Sequence, residues 1–368
     1  MYISKHNYSI ELAQLGNEVY YLEPAISSNK NETRVWQPLP ELPNLKVITT
    51  YVPRWCEILR FKSRFLYNRI IPSYIARLLK KINVQFDITW CFETNLYSNL
   101  RDFKSGYIVY HPVDLAIYTF QKKIAATADI VFAISESVAR DFRPYNNKVF
   151  FINHGLNKPF KDAAEASLIN LKNGIQKGQR GGKIKVGFVG NLFRPELNKE
   201  FIKAAVSAHQ DVQFHIWGPD ELAKSNVDGA STKETLSFID FLRVNSNVAL
   251  HGVKLGKELA GVLCDMDILL LPLNISASYD GSNSHKIIEY LSTGKVVVSN
   301  YVETYDGTTL FEMIANFSTA ELLALFGKVI HSLDQYNSTE RQISRIEFSL
   351  KNTYAQHLIE MEELISSN

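Results

Sequence analysis

The stretch GSNSHKIIEYLSTGKVVVS, residues 281–299, carries the clearest fold signal in this chain. A loop of Gly, Ser and Asn leads into a short helical pattern that Gly294 ends, and the β-branched strand Val296–Val298 follows. Backbone N–H groups at a helix start attract phosphate, and the helix dipole favours negative charge there. Glu289, about two turns along the helix, can accept hydrogen bonds from a ribose diol. The loop, the helix and the acid together predict one half of a nucleotide-sugar pocket.

Glu289 has two interpretations. Helical spacing places it on one face with His285, four residues earlier, and predicts that Lys286 points elsewhere, near Tyr290. Glu289 can be an ordinary solvated acid, but its apolar neighbours on both sides predict a mostly buried helix, where an unpaired carboxylate is costly. That burial favours a ligand-facing Glu289. His285 is either a second ligand contact or a satisfied polar group.

Length and composition indicate two globular domains. The chain has 368 residues, of which 46% are apolar and 21% charged, enough to fill sizeable cores. No run of about 18 apolar residues predicts a membrane span, and the first 30 residues lack the pattern of a secretion signal. The three cysteines are widely spaced and fit neither a disulfide framework nor a zinc site, which favours a reducing cytoplasm.

Charge is divided unevenly along the chain. Residues 1–155 hold 19 Lys and Arg against 13 Asp and Glu, although the whole chain carries a net charge of only +2. Residues 54–81 contribute eight basic residues against one acid, Glu57, with aromatic residues interleaved. This segment is either a membrane-surface helix pair or two packed helices with solvated charges. No nucleic-acid-binding signature is present, so a membrane surface or a lipid phosphate is the favoured anionic partner.

Short apolar runs alternate with amphipathic segments almost throughout, which predicts an α/β fold with parallel sheets. The sequence predicts strands at Glu18–Leu22, Lys46–Tyr51, Asp87–Cys91, Tyr107–His111, Ile130–Ile134, Val149–Ile152, Ile184–Gly190, Val212–Trp217, Val248–His251, Asp267–Leu271 and Val296–Ser299, with a weaker candidate at Leu310–Ile314. Six strands in each half suffice for two Rossmann-like, doubly wound domains.

Domain boundaries follow from composition. Residues 157–183 are polar, Gly-rich toward their end and read as the connection between domains. The predicted domains are therefore 1–165 and 180–335, followed by a C-terminal helix, 336–368, that packs across their junction. Residues 4–15 predict a helix with no strand before it, so the first domain is expected to lack its first strand. Either Tyr2 and Ile3 are all that remains of that strand or the chain starts late, and a late start codon or a degraded gene would explain the loss.

A second candidate ligand segment is VGFVGNLFRPELNKEF, residues 186–201. A strand ends at Gly190 and Asn191, and a helix is predicted to start near Pro195. Gly190 would let a ligand approach the backbone, and Arg194 and Lys199 could reach a diphosphate. The alternative is an ordinary strand-to-helix turn with solvated charges. The position at the start of the second domain favours the functional interpretation.

Two candidate motifs lie in the first half. His111 and Asp114 follow a predicted strand, where a histidine could donate to a sugar hydroxyl or polarise a leaving group. A structural histidine and a capping aspartate explain them equally well. His154 and Gly155 form a tight turn after another strand, for which a structural role is favoured.

In three places the sequence resembles the retaining GT-B glycosyltransferases of the group-1 type, family 4 and its relatives. ATADIVFAISESVARDF with VFFINHGLNKPF resembles the end of that family's first domain. KVGFVGNLFRPELNKEF, VQFHIWGP and NVALHGVKLGKELAGVLCDMDILLLPL resemble its second domain in order, and HKIIEYLSTGKVVVS resembles its donor-site helix and the next strand.

The resemblance implies two Rossmann-like domains facing a cleft, with the donor on the second domain and the acceptor on the first. By position it makes Glu289 the ribose ligand and His111, beside Asp114, the catalytic group near the transferred sugar. The implied donor-binding residues are Gly190, Asn191, Arg194, Lys199, Val253, Lys254, Ser282, Asn283, Ser284, His285 and Glu289. Enzymes of this kind generally need no metal or other cofactor.

Two positions depart from the family pattern. The acid that often precedes the ribose-binding Glu by eight residues is Gly281 here, so either Asp280 substitutes for it or the site lacks that acid. The second departure is at the start of the chain, where the family's first strand and the glycine-rich loop after it are expected to be missing.

The expectation is a retaining hexosyltransferase that moves a sugar from a nucleoside diphosphate sugar to a glycan or lipid-linked acceptor. It would work in the cytoplasm or as a peripheral protein on the inner face of the membrane. Two alternatives stay open: a non-catalytic sugar-nucleotide binder and a nucleotide-sugar epimerase of similar architecture. A nicotinamide dehydrogenase is disfavoured because no G-x-G-x-x-G follows a strand.

Overall fold

The computed structural model describes residues 4–27, 33–113, 120–175, 182–221, 232–273, 283–316 and 318–367. The chain divides into two compact units. The first unit comprises Tyr2–Asn153 with Tyr354–Asn368, and the second unit comprises His154–Thr353. This division lies before residue 165, where the sequence placed the end of the first domain. The predicted connection also differs, because residues 158–172 of it form a helix of the second unit.

The second unit is built on a parallel sheet. Its described strands are β10 (Lys185–Val189), β11 (Gln213–Trp217), β12 (Val248–Leu250), β13 (Ile268–Leu271), β14 (Val296–Ser299) and β15 (Glu312–Met313). They pair in the order β12-β11-β10-β13-β14-β15, and every pair is parallel. In sequence order this is 3-2-1-4-5-6, the doubly wound arrangement. The order reverses between β10 and β13, so a ligand crevice is expected at the carboxyl ends of these two strands.

Helices cover both faces of this sheet. They are α6 (Lys158–Lys172), α7 (Lys199–Ala208), α8 (Lys233–Val244), α9 (Gly256–Cys264), α10 (His285–Leu291), α11 (Thr319–His331), α12 (Leu333–Tyr336) and α13 (Thr339–Lys351). Side chains alternate between the two faces along a strand. Ile268 and Leu270 of β13 accordingly join the core under α7, α8 and α11, whereas Leu269 and Leu271 join the core under α6, α9 and α10.

The first unit contains three sheets among its described residues. The strands are β1 (Val19–Leu22), β2 (Ile26–Ser27), β3 (Arg34–Trp36), β4 (Leu45–Thr49), β5 (Tyr51–Val52), β6 (Ile88–Cys91), β7 (Tyr107–Tyr110), β8 (Ile130–Ala133) and β9 (Val149–Phe151). Strands β6 to β9 form one parallel sheet, β1-β4-β3 a second and β2-β5 a third. Within the described residues helix α1 (Ser4–Gln14) precedes β1, as predicted.

The other helices of the first unit are α2 (Arg54–Lys62), α3 (Arg64–Ile82), α4 (Phe120–Ala125), α5 (Glu136–Phe142) and α14 (Tyr354–Ser367), and short 3-10 helices occur at Leu100–Phe103 here and Glu303–Tyr305 in the second unit. The predicted single helix at 336–368 is therefore wrong as one element, since α13 and α14 belong to different units. Helix α14 packs on α1, where Tyr8 Oη and His357 Nδ1 are 3.3 Å apart. No helix in the described ranges has both the length and the apolar content to span a bilayer.

Candidate functional site

The crevice of the second unit is formed by a close backbone approach at the end of β10. Gly190 N donates to the carbonyl of Trp217 at 2.9 Å, and Gly218 N donates to the carbonyl of Gly252 at 2.9 Å. A Cβ on Gly218 would lie 1.8 Å from the Gly190 carbonyl oxygen, so only glycine fits there. The structure therefore uses Gly190 for contact between its own strands.

The loop after β10 holds the predicted diphosphate cations. Asn191 Oδ1 accepts from Phe193 N at 3.0 Å and shapes the turn. The next helix begins at Lys199, with Asn198 as its N-cap, rather than near Pro195 as the sequence suggested. Lys199 is 7% exposed, and its Nζ donates to the carbonyl of Arg194 at 3.3 Å. The Arg194 side chain itself is exposed.

Helix α10 is fixed against the same strand. The Tyr290 hydroxyl accepts from Val189 N at 2.8 Å, which ties α10 to the last residue of β10. Ser284 is the N-cap, and its hydroxyl and carbonyl accept from the N–H groups of Lys286 and Ile287. Two early N–H groups of this seven-residue helix are thus used by its own cap. The helix start is therefore a smaller source of phosphate contacts than the sequence pattern implied.

Glu289 is buried on this helix, with 6% of its surface exposed. Asn157, the N-cap of α6, donates from Nδ2 to Glu289 Oε1 at 2.9 Å. Burial raises the pKa of Glu289 to about 7, and the charge of Lys286 and the Asn157 hydrogen bond oppose that rise. A buried carboxylate with an unusual pKa in a crevice is typical of a ligand-binding acid.

Lys286 belongs to the same cluster, contrary to the expectation that it points elsewhere. Burial and the nearby charge of Arg194 together lower its pKa to about 8, and the charge of Glu289 opposes that shift. Lys286 therefore lies within electrostatic range of both Arg194 and Glu289. Residues 286 and 289 are three apart, a spacing that makes helical neighbours. The structure thus brings the Arg194 loop and the Glu289 helix together, and adds a cation that the sequence argument missed.

Two histidines line the start of α10. His154 Nε2 donates to the carbonyl of Asn283 at 2.8 Å, and the ring centroids of His154 and His285 are 6.2 Å apart. Burial is the main cause that lowers the pKa of His154 to about 4 and that of His285 to about 3, so both are neutral at pH 7. The Nε2 atom of His285 is buried without a hydrogen-bond partner among the described residues. His154 serves the backbone, in line with the structural role favoured for its turn.

The predicted base-contact residues lie at the same sheet edge, after β12. Val253 is 55% exposed, and Lys254 Nζ lies 4.0 Å from Glu258 Oε2. His251, just before them, stacks on Trp217 with ring centroids 5.0 Å apart. Contact of this turn with a nucleotide base stays a prediction.

Four positions singled out in the sequence lie outside the described residues. Two are the predicted site residues Ser282 and Asp114, and two are Asp280 and Gly281, which bear on the missing acid. Asn283 is described and supplies the carbonyl that His154 bonds.

His111 lies in the first unit, at the end of β7. It is 1% exposed, and its ring packs against Phe92, Tyr8 and Trp90 with centroid distances of 5.2, 5.3 and 6.0 Å. Its backbone N donates to the carbonyl of Cys91 at 2.8 Å, which fixes it beside β6. A catalytic role for His111 and Asp114 stays a prediction.

Asn157 is the second functional candidate that the sequence argument missed. Its position before Lys158 and Pro159 has the pattern of a helix N-cap, which the polar composition of the segment obscures. Its contact with Glu289 joins residues 132 positions apart, which no local pattern could predict. Among the described residues, no group of three or more His, Cys, Asp or Glu side chains is placed to hold a metal ion.

Comparison with known proteins gives structural but no sequence relatives. No family model and no curated protein matches the chain. A sucrose-phosphate synthase from Thermosynechococcus elongatus matches with a TM-score of 0.69 and 15% identity over 99% of this chain and 93% of that chain. An α,α-trehalose-phosphate synthase (UDP-forming) from Burkholderia xenovorans, in complex with glucose-6-phosphate, matches with a TM-score of 0.68 and 11% identity over 97% and 94%.

Anabaena HepE in complex with UDP is a further match, with a TM-score of 0.58 and 14% identity over 80% of this chain and 82% of that chain. At these identities the likeness concerns the fold. It agrees with the parallel sheets and the 3-2-1-4-5-6 strand order of the second unit. The chain therefore has the two-domain GT-B fold of these glycosyltransferases.

Proposed function

We propose that this protein is a glycosyltransferase that binds a nucleoside diphosphate sugar on its second unit and transfers the sugar to a glycan or lipid-linked acceptor. The observation that carries the proposal is the cluster of Arg194, Lys286 and buried Glu289 at the switch point of a doubly wound sheet. Two cations beside one acid suit a diphosphate next to a ribose diol. The GT-B fold of known UDP-forming synthases supports the same activity.

In this proposal Glu289 accepts hydrogen bonds from the ribose hydroxyls in its ionised form. Asn157 holds one carboxylate oxygen, so the other can meet the diol. Arg194 and Lys286 face the diphosphate. As the bond from the anomeric carbon to the phosphate oxygen breaks, charge develops on that oxygen, and nearby cations stabilise it. The acceptor hydroxyl forms the new bond to the anomeric carbon and gives its proton to the departing phosphate oxygen.

Lys199 has a supporting part in this arrangement. Its ammonium group donates to the Arg194 carbonyl and so fixes the loop that carries the guanidinium. The positive charge of Lys199 also adds to the field at the crevice, because the group is largely removed from water. Arg194 then presents its forked donors from a stiffened turn.

Retention of the anomeric configuration is part of the proposal. A trehalose-6-phosphate synthase described for glycosyl transfer with retention matches with a TM-score of 0.68 and 11% identity over 96% of each chain. We expect the reaction to need no metal or other cofactor, since the diphosphate charge is met by side chains.

The proposed setting is the cytoplasm, at or near the membrane. The three cysteines are free thiols, in keeping with a reducing compartment. Peripheral membrane contact is proposed through residues 54–81, whose helices carry exposed apolar and basic side chains.

Binding of UDP-glucose tests the site. Calorimetry on the whole chain should show that Glu289→Ala and Lys286→Met each weaken binding at least tenfold, while the exposed controls Glu340→Ala and Lys328→Met leave it unchanged. Because the neighbours point to UDP without fixing the base here, GDP, ADP and TDP belong in the same titration series. Unchanged affinity in both site variants would end this assignment.

Turnover separates an enzyme from a binder. Radiolabelled UDP-glucose incubated with the chain should release UDP, slowly by hydrolysis and faster with a sugar or lipid-linked acceptor. Anomeric analysis of the product by NMR then reports retention or inversion. Tight, Glu289-dependent binding without release under any condition would favour the non-catalytic binder, and interconversion of the sugar would favour the epimerase.

A further inference from the structure

An apolar surface is exposed on the first unit, where α2 passes into α3. The outer aromatic surface consists of Trp55, Ile58, Phe61, Phe65 and Leu66, which are 46–72% exposed. Trp55, Ile58 and Phe61 are spaced three residues apart, so they share one face of α2. Large apolar side chains gathered at one place on a surface indicate an interaction site.

The helix pair has a separate inner face that supplies its packing. Cys56 of α2 is buried, and Leu59 packs against the core of the first unit. Tyr67, Ile71 and Ile75 of α3 are buried in that core as well. The outer aromatic surface is therefore not needed to hold the helices in place, and its side chains are available to bind a partner.

Basic side chains surround the same surface. Residues 54–69 contain Arg54, Arg60, Lys62, Arg64 and Arg69 against the single acid Glu57. The Arg60 guanidinium lies 4.6 Å from the ring centroid of Phe61, and that of Arg69 lies 4.4 Å from the ring of Phe65. Within the described residues, none of these five cations forms a salt bridge with a carboxylate.

Cations seated beside exposed aromatic rings match the chemistry of an anionic lipid surface. The rings enter the boundary between headgroups and acyl chains, and the guanidinium groups meet the phosphates above it. A second copy of this chain would oppose the surface with the same excess of positive charge, which is repulsive. Double-stranded nucleic acid would meet the cations but would leave the apolar side chains, Ile58 and Leu66 among them, in water.

We infer that the outer aromatic surface docks the protein on a membrane containing anionic lipid. The inference rests on the proposed function in one respect. For a glycosyltransferase, docking on a membrane favours a lipid-linked acceptor over a soluble sugar. The surface itself lies wholly within the first unit, and the donor site lies in the second.

Vesicle co-sedimentation of the full chain tests the inference. Vesicles of phosphatidylcholine alone are compared with vesicles containing about a third phosphatidylglycerol. We expect partition onto the anionic vesicles to be at least tenfold stronger, and Phe61→Ser with Phe65→Ser to reduce it at least tenfold. Lys62→Gln with Arg69→Gln should reduce it about fivefold per charge removed. The matched control, Leu236→Ser with Val244→Ser, removes exposed apolar side chains of α8 and should change nothing.

Three results would overturn the inference. These are equal binding to both vesicle types, equal binding by the wild type and the Phe61/Phe65 variant, and no vesicle binding at all. Sedimentation velocity adds an alternative: a dimer that the Phe61/Phe65 substitutions dissociate, without vesicle binding, would assign the surface to self-association. Quenching of Trp55 by brominated lipid, lost in Trp55→Phe, places the surface in the bilayer directly. UDP binding, measured on the same preparations, reports on the proposed function independently.

Discussion

The affinity of this protein for UDP-glucose should fall on both sides of neutral pH, for two different reasons. Burial raises the pKa of Glu289 to about 7. Only the ionised carboxylate can accept hydrogen bonds from both ribose hydroxyls, so binding weakens as the pH falls below 7. Burial and the charge of Arg194 lower the pKa of Lys286 to about 8, so the ammonium proposed to face the diphosphate is lost as the pH rises above 8.

The size of the effect follows from these two values. If binding requires ionised Glu289 and protonated Lys286, affinity is highest near pH 7.5 and is about sixfold weaker at pH 6 and at pH 9. His154 and His285 do not add to the acid limb, because their pKa values of about 4 and about 3 keep them neutral down to pH 6. UDP-glucose is the suitable ligand, since the terminal phosphate of UDP titrates near pH 6 and would add a limb of its own.

Isothermal titration calorimetry at half-unit steps from pH 6 to pH 9 measures this profile. Glu289→Gln should bind more weakly throughout but lose the acid limb, and Lys286→Met should lose the alkaline limb. Lys328→Met, an exposed lysine of α11, controls for the loss of one positive charge. A flat profile in the wild type, or an acid limb that survives in Glu289→Gln, would refute the assignment of these two groups to the donor site.

Other variants test the supports of the site. Asn157→Ala removes the 2.9 Å hydrogen bond to Glu289, so UDP-glucose affinity should fall several-fold and the acid limb should move to higher pH, by calorimetry. His154 has a folded pKa of about 4, below its ordinary 6.5, so stability is lost as the pH falls through this range. His154→Gln keeps a hydrogen-bond donor but does not titrate. Between pH 7 and pH 5 its free energy of unfolding, measured with urea, should therefore fall by about 2 kcal/mol less than that of the wild type. In Gly218→Ala the added Cβ would lie 1.8 Å from the Gly190 carbonyl oxygen, so the substitution should lower the free energy of unfolding by about 3 kcal/mol or more. Gly261→Ala, in open space on α9, should be neutral or stabilising in thermal unfolding.

The central strands of the second unit could be predicted because they bury continuous apolar runs. Ile268–Leu271 and Val296–Ser299 are buried at every residue, and such runs stand out without any long-range information. The short strands Ile26–Ser27 and Arg34–Trp36 were not predicted. All three residues of Arg34–Trp36 are exposed, so no buried face imposes a pattern.

The helix Lys158–Lys172 escaped prediction for a related reason. Only Phe160 and Ala164 of its fifteen residues are buried, which leaves a weak periodic signal among many charges. The break between α13 and α14 was missed because apolar spacing continues on both sides of it. Periodicity reports which face is buried, but it does not report against which unit.

The candidate site divides in the same way. Glu289 was predictable because an acid among buried apolar residues is costly and therefore conspicuous. Lys286 was recoverable from the sequence, since a spacing of three residues makes it a helical neighbour of Glu289. Asn157 was not, because its contact with Glu289 depends on how α6 packs beside α10. Local chemistry marks a site's main group, while the groups that tune it come from tertiary structure.

The charge state of the crevice is itself an argument for an anionic ligand. Lys286 is held beside Arg194 in a partly dry environment, which makes its charge unfavourable, and Glu289 is buried deeply enough to lie near half-ionisation at neutral pH. A diphosphate would restore the charge of Lys286 by direct pairing, and a ribose diol would stabilise the ionised form of Glu289 by hydrogen bonding. Each part of the ligand thus relieves one unfavourable ionisation that the fold imposes. Binding should therefore raise the pKa of Lys286 and lower that of Glu289. The protein should then release protons on binding below pH 7 and take them up above pH 8. Calorimetry in buffers of different ionisation enthalpy measures this proton exchange.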